Sequence, residues 1–189
     1  MQYRTRLCLL TILAGCSGSS APAVDAMTDA PDAAKAGPCW PIDATTMAGT
    51  IQLGGGEGPF VPMPDELPVV YGPQLGFHIP VHSRISSMVP GNTSDVLDPS
   101  NPRTRFRASF EDTGLPINGV VCPIRLAYKP ATATEHDLLR DSAVLFEVGL
   151  PEDQIFGRRV HVIVEVIDST GKYAKDEKTI TCQKPIGWP

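Results

Sequence analysis

Val160-His161-Val162-Ile163-Val164-Glu165-Val166 decides the fold of this chain. Every even position is Val while the odd positions include His161 and Glu165, and a period of two marks a strand with one face in a core. The run passes into Asp168-Ser169-Thr170-Gly171, which supplies turn residues. It leaves through Tyr173 to Cys182 with β-branched Thr179, Ile180 and Thr181. Two strands around such a turn predict a β-hairpin.

Further out, the same reasoning predicts strands over Ile51 to Leu53, Val69 to Tyr71, Phe77 to Ser86, Thr104 to Phe110, Val120 to Tyr128 and Ala143 to Val148. In Thr104 to Phe110 the alternation places Phe106, Ala108 and Phe110 on one face and Arg105, Arg107 and Ser109 on the other. The chain's 19 Pro and 17 Gly punctuate these runs, and Pro80 and Pro123, inside candidate strands, are expected at an edge or a bulge. Gly54-Gly55-Gly56-Glu57-Gly58 is expected to form a flexible loop. Helix is scarce: Thr134-Glu135-His136-Asp137 has a capping-box pattern and Pro151 to Gly157 runs from Pro to Gly, so each predicts a turn or two. Short strands separated by Pro/Gly loops predict an all-β fold, a single antiparallel β-sandwich over 38–189. The segment from about Gly157 to Ile180 resembles the closing strands of bacterial immunoglobulin-like, fibronectin type III or PKD domains, which implies an Ig-like sandwich. The Trp-Asp-Phe-Gly-Asp-Gly type turn of PKD domains is absent, which leaves the family open.

The N-terminus points to a place in the cell. Arg4 and Arg6 precede an apolar run from Leu7 to Leu13, followed by the small residues Ala14 and Gly15, the three-part layout of an export signal. Seven apolar residues reach only ~10 Å as a helix, against a hydrocarbon core of ~30 Å. Leu13-Ala14-Gly15-Cys16 resembles the lipobox of bacterial lipoproteins. That resemblance implies a signal peptide over 1–15, cleavage before Cys16 and lipid attachment to Cys16, and Ser17 in place of Asp implies the outer membrane, with the face open. From 16 to 37 the composition narrows to Ala, Ser, Pro, Asp, Thr and Gly, too apolar-poor to offset chain entropy, so a disordered tether is expected between anchor and domain.

The formal charge is −5, and −7 once Arg4 and Arg6 leave with the signal. An acidic chain without a Lys/Arg block excludes nucleic acid as a partner class. Cys39, Cys122 and Cys182 would then lie in an oxidising space, where three thiols make one bridge and one leftover. All three pairings are open. Strand phase points Cys122 (with Ile124 and Leu126) and Cys182 (with Ile180) inward, while Cys39 beside Trp40 opens the domain.

No hydrolase elbow, zinc-protease helix, Cys-x-x-Cys or phosphate loop occurs, so no catalytic residue, cofactor or metal site is assigned. His78 and His82 lie four residues apart, ~13 Å along a strand, too far for one ion. Glu111-Asp112 and Glu152-Asp153 are expected to cap or solvate turns. Arg103, Arg105 and Arg107 alternate at ~6.6 Å on the outer face of a strand and form a candidate ligand face for phosphates or carboxylates of glycans. The competing reading pairs them with Glu147 or Glu165 on neighbouring strands. Clustered exposed aromatics would favour binding, with Phe60, Tyr71, Phe77, Tyr128 and Trp188 the residues to locate. The expectation is therefore a membrane-anchored, non-catalytic structural or interaction module of the cell envelope, its partner an envelope protein, or a glycan or peptide held by loops or the Arg face.

Overall fold

The computed structural model describes Cys39 and residues 48–73, 75–117 and 119–189. The expected signal peptide, Cys16 and the tether over 16–37 lie outside the described residues. Among the described residues eleven strands and a 3₁₀ turn follow in chain order: β1 (Thr50–Gly55), β2 (Glu66–Pro68), β3 (Val70–Gly72), β4 (Gly76–Ser86), β5 (Arg103–Phe110), β6 (Ile124–Arg125), β7 (Tyr128–Pro130), β8 (Glu135–Leu138), β9 (Ser142–Leu145), the turn Glu152–Gln154, β10 (Arg159–Ile167) and β11 (Tyr173–Gln183). Among the described residues no helix is long and apolar enough to cross a membrane.

The strands form two sheets, ordered β1-β4-β8-β7 and β2-β11-β10-β5-β6. β4 is the spine of the first: β1 and β3 lie along one edge, β9 and β8 along the other. In the second, β10 pairs antiparallel with both β11 and β5. The orders β1-β4-β8-β7 and β11-β10-β5 reproduce the ABED and GFC sheets of an immunoglobulin-like sandwich. One pairing departs from the antiparallel expectation. β2 joins β11 in parallel, Leu67 opposite Cys182, because the chain reaches this edge from β1 in the other sheet rather than through a hairpin.

The core follows the alternation. Val160, Val162, Val164 and Val166 face inward with no exposure and meet Ile79, Val81 and Ile85 of β4 across the sandwich. Tyr128 stitches the layers together: its hydroxyl lies 3.0 Å from Ser83 Oγ of β4 and 3.0 Å from Thr104 Oγ1 of β5. All three residues are buried.

Four local expectations change. Thr134-Glu135-His136-Asp137 opens no helix: Glu135–Leu138 is β8, held against β4 with Asp137 opposite Arg84. The capping oxygen belongs to Thr132, whose Oγ1 takes the N–H groups of Thr134 and Glu135 and closes the β7–β8 turn. Val120 to Tyr128 is not one strand. The chain there passes from the second sheet (β6) to the first (β7), so pairing is confined to Ile124–Arg125 and to Tyr128 and Cys122 lies exposed, not inward. Gly54 and Gly55 belong to β1 rather than a loop; a Cβ at Gly54 would sit 2.7 Å from the Phe60 ring, so glycine serves close packing there. Pro80 sits in the central strand β4, opposite Ala143. Its carbonyl accepts Gly56 N–H on the β1 side, just where that ladder ends at Val81. The ring nitrogen faces the same edge, so the missing N–H falls at the end of that ladder and not inside it.

Candidate functional site

The register of β5, β10 and β11 lays out the outer face of the second sheet in rows: Ser109–His161–Thr179, Arg107–Ile163–Glu177, Arg105–Glu165–Lys175 and Arg103–Ile167–Tyr173. Glu165 is the hub. Its Oε2 accepts Arg105 Nε at 2.9 Å and Arg107 Nε at 3.0 Å and lies 2.8 Å from a second Arg105 nitrogen. Oε1 accepts the Tyr173 hydroxyl at 3.3 Å. Two guanidinium groups close over the carboxylate so completely that Glu165, on the solvent side of a sheet, is only 7% exposed. Burial, then the Glu165 charge, pushes the Tyr173 phenol up from its ordinary value.

The competing reading of the arginines thus holds for Arg105 and Arg107, with Glu165 and not Glu147 as the partner. Arg103 sits at the sheet end, opposite Ile167 and Arg125. At the other end His161 and Lys175 both approach Glu177, and Lys175 holds that carboxyl below its usual range.

A wall rises beside this face. After β5 the chain reverses through Glu111–Gly114, and Leu115 to Ile117 return along β5: Phe110 N–H donates to Leu115 at 2.9 Å and Ile117 N–H to Ala108 at 3.1 Å. Gly114, with φ +68°, makes the reversal. The segment then carries Gly119, Val120 and Val121 past the arginines to Cys122, which is bonded to Cys39 with Cα atoms 5.0 Å apart. Face and wall enclose a groove of about 530 Å³ lined by Arg105, Arg107, Ser109, Val120, Val121 and Ile163, among others. Leu115, Val120 and Ile124 are exposed on the wall or beyond it.

The other candidates disperse. Among the described residues Cys182 is the free thiol, wholly buried, and burial pushes its pKa up to about 12, so it is a core residue. His82 lies buried on the outer face of β4, its ring edge against Phe60 and its Nε2 3.7 Å from Asp141. Burial lowers its pKa despite the carboxylates of Asp141 and Asp137. Burial likewise lowers His78, against the pull of Glu57. Among the described residues no three His, Cys, Asp or Glu side chains converge as metal ligands would. Glu111 and Asp112 do not cap a turn but pair with Arg159 and Arg158.

Phe77 and Tyr128 are core. Tyr71 and Trp188 gather on Phe77 with ring centres 5.1 to 5.2 Å apart, and Phe60 stacks under the Arg84 guanidinium at 4.4 Å. Sequence reasoning does not find Glu165 as hub, nor the wall formed by 114–117 and 119–121. The inward-outward alternation of β10 does mark Glu165 as outward, but which cations meet it depends on register. The chain matches no family model, no curated protein and no solved structure.

Proposed function

We propose that this protein is a bacterial outer-membrane lipoprotein, anchored through lipid on Cys16, whose sandwich is a non-catalytic structural or interaction module of the cell envelope. The observation that supports this reading best is the Cys39–Cys122 bridge. Disulfides persist in oxidising compartments, and a chain that opens with an export-type leader is expected to carry its bridge there. Two or three acyl chains at ~0.8 kcal/mol per buried methylene hold far more firmly than a single reversible one.

The test is the mass of the N-terminal peptide of the full chain expressed in bacteria, with membrane fractionation. A diacylglyceryl, acylated Cys16 in the outer-membrane fraction supports the proposal, and Cys16→Ser should release the protein from membranes. An unmodified Cys16, or an N-terminus beginning elsewhere, overturns it. A second reading, ligand binding through the Arg103, Arg105 and Arg107 face, is favoured by the groove beside Arg105 and Arg107.

A further inference from the structure

We infer that the groove between the outer face of β5–β10 and the wall formed by 114–117 and 119–121 binds an extended peptide whose Asp or Glu side chain docks on Arg107 with apolar neighbours against Val120, Val121 and Ile163. This deepens the ligand-binding reading and rests on it. The groove's charge is unbalanced. Its charged lining is Arg105 and Arg107, which share the single carboxylate of Glu165 on a chain whose net charge is −5.

The excess is localised by the hydrogen bonds. Glu165 neutralises one guanidinium, yet two are bound to it. Arg105 spends Nε and a terminal nitrogen on that carboxylate, whereas Arg107 donates from Nε alone among the described residues. A guanidinium carries five N–H donors in a fixed fork. Fixing Nε therefore orients the two terminal nitrogens of Arg107, whose side chain is 47% exposed. A carboxylate seated there would accept the paired N–H groups that make such contacts strong and directional. It would also restore the alternation of charge that Glu165 begins.

The lining decides between peptide and glycan. Around the guanidinium groups the described residues of the groove offer Pro116, Val120, Val121 and Ile163 and, of neutral hydrogen-bonding side chains, only Ser109. A sugar acid brings a hydroxyl-covered ring that such a wall would desolvate without return. An acidic side chain between apolar residues brings surface that gains by the same burial. Extended chains also repeat side chains every ~6.6 Å, the spacing of Arg105 and Arg107. The volume lies within the ~300 to 1,000 Å³ of specific ligand sites.

The experiment titrates the full-length protein with the blocked peptide acetyl-Val-Glu-Val-Glu-Val-amide, its Gln counterpart and an oligogalacturonate, by fluorescence anisotropy at low and physiological salt. The Glu peptide should bind at least about tenfold tighter than the Gln peptide, the increment of one charged hydrogen-bonded contact, and weaken as salt rises. Arg107→Ser should abolish the difference, and Glu165→Gln, which withdraws the competing carboxylate, should strengthen binding. Arg107 is half exposed, so its variant is checked for an unchanged melting temperature. Equal affinity for both peptides, or binding of the Glu peptide indifferent to Arg107→Ser, overturns the docking on Arg107. If that affinity is nonetheless strong, the domain binds ligands by another surface and the broader reading survives. Tighter binding of the oligogalacturonate than of the Glu peptide, lost in Arg107→Ser, assigns the face to glycans and overturns the peptide.

Discussion

Tyr128→Phe removes one oxygen atom and tests how the two sheets are locked. That hydroxyl is the point where β7 meets Ser83 of β4 and Thr104 of β5, at 3.0 Å each, in a place where Tyr128 itself is 1% exposed and its two partners not at all. Losing two hydrogen bonds at ~0.5 to 1.5 kcal/mol each would cost about 1 to 3 kcal/mol. Stranding two buried hydroxyls adds a desolvation penalty of ~1 to 3 kcal/mol for each that finds no new partner. With one of the two hydroxyls left stranded, the single variant should therefore lose about 2 to 6 kcal/mol. The measurement is equilibrium urea unfolding of the full chain, read as a lower midpoint at unchanged slope. The sharper arm is Ser83→Ala, Thr104→Val and Tyr128→Phe together. With donors and acceptors all gone nothing is stranded, and the triple variant should recover most of the loss despite three changes. A single variant within 0.5 kcal/mol of the parent (about the scatter of surface substitutions), or a triple variant worse than the sum of its parts, would refute the lock. The same hydroxyl carries a pH signature. Burial raises its pKa from 10.0 to about 12, so the folded state keeps a proton that the unfolded state gives up. Its contribution is complete below pH 10 and fades as pH climbs toward 12, and Tyr128→Phe should flatten that decline.

Three further outcomes follow from the structure. Cys39→Ser with Cys122→Ser opens a loop whose ends lie 83 residues apart in sequence, and the chain-entropy model sets the loss at about 4 to 5 kcal/mol, read as a drop in urea midpoint equal to that caused by reductant. Cys182, wholly buried with its thiol pKa near 12, should stay unlabelled by thiol reagents in the native protein and react at once in denaturant; labelling of the native state would refute its place in the core. Asp168 accepts from Val89 N–H, Thr170 N–H, Thr170 Oγ1 and Lys172 N–H. Burial opposes its charge, but these donors prevail and hold its pKa below 3.8. Its stabilisation should be present above that value and fade as pH falls through the lowered pKa. Asp168→Ala should cost about 2 to 4 kcal/mol at neutral pH through the orphaned donors, and its acid limb, measured by circular dichroism, should be shallower.

The sequence by itself determined which residues go inside. Where a strand buries one face, a period of two is enough to sort Val160, Val162, Val164 and Val166 from His161 and Glu165, and Phe106 and Ala108 from Arg105 and Arg107, because side chains alternate across the sheet whatever the partner strand is. The turn at Asp168–Gly171 was equally local. What the tertiary structure alone decided was which outward residues meet. Arg105 faces Glu165 only because β5 and β10 pair in that register, and a shift of one residue would turn every side chain to the other face. Local signals also lost to pairing: Thr134-Glu135-His136-Asp137 carries a helix-start pattern, yet hydrogen bonding to β4 and the burial of Leu138 make it a strand. Cys122 broke its apparent phase for the same kind of reason, since the chain there must leave one sheet for the other. The groove beside Arg107 could not be read along the chain. Its floor and wall are joined by a register, a reversal at Gly114 and a disulfide to Cys39, all of them distances in space that sequence spacing does not encode.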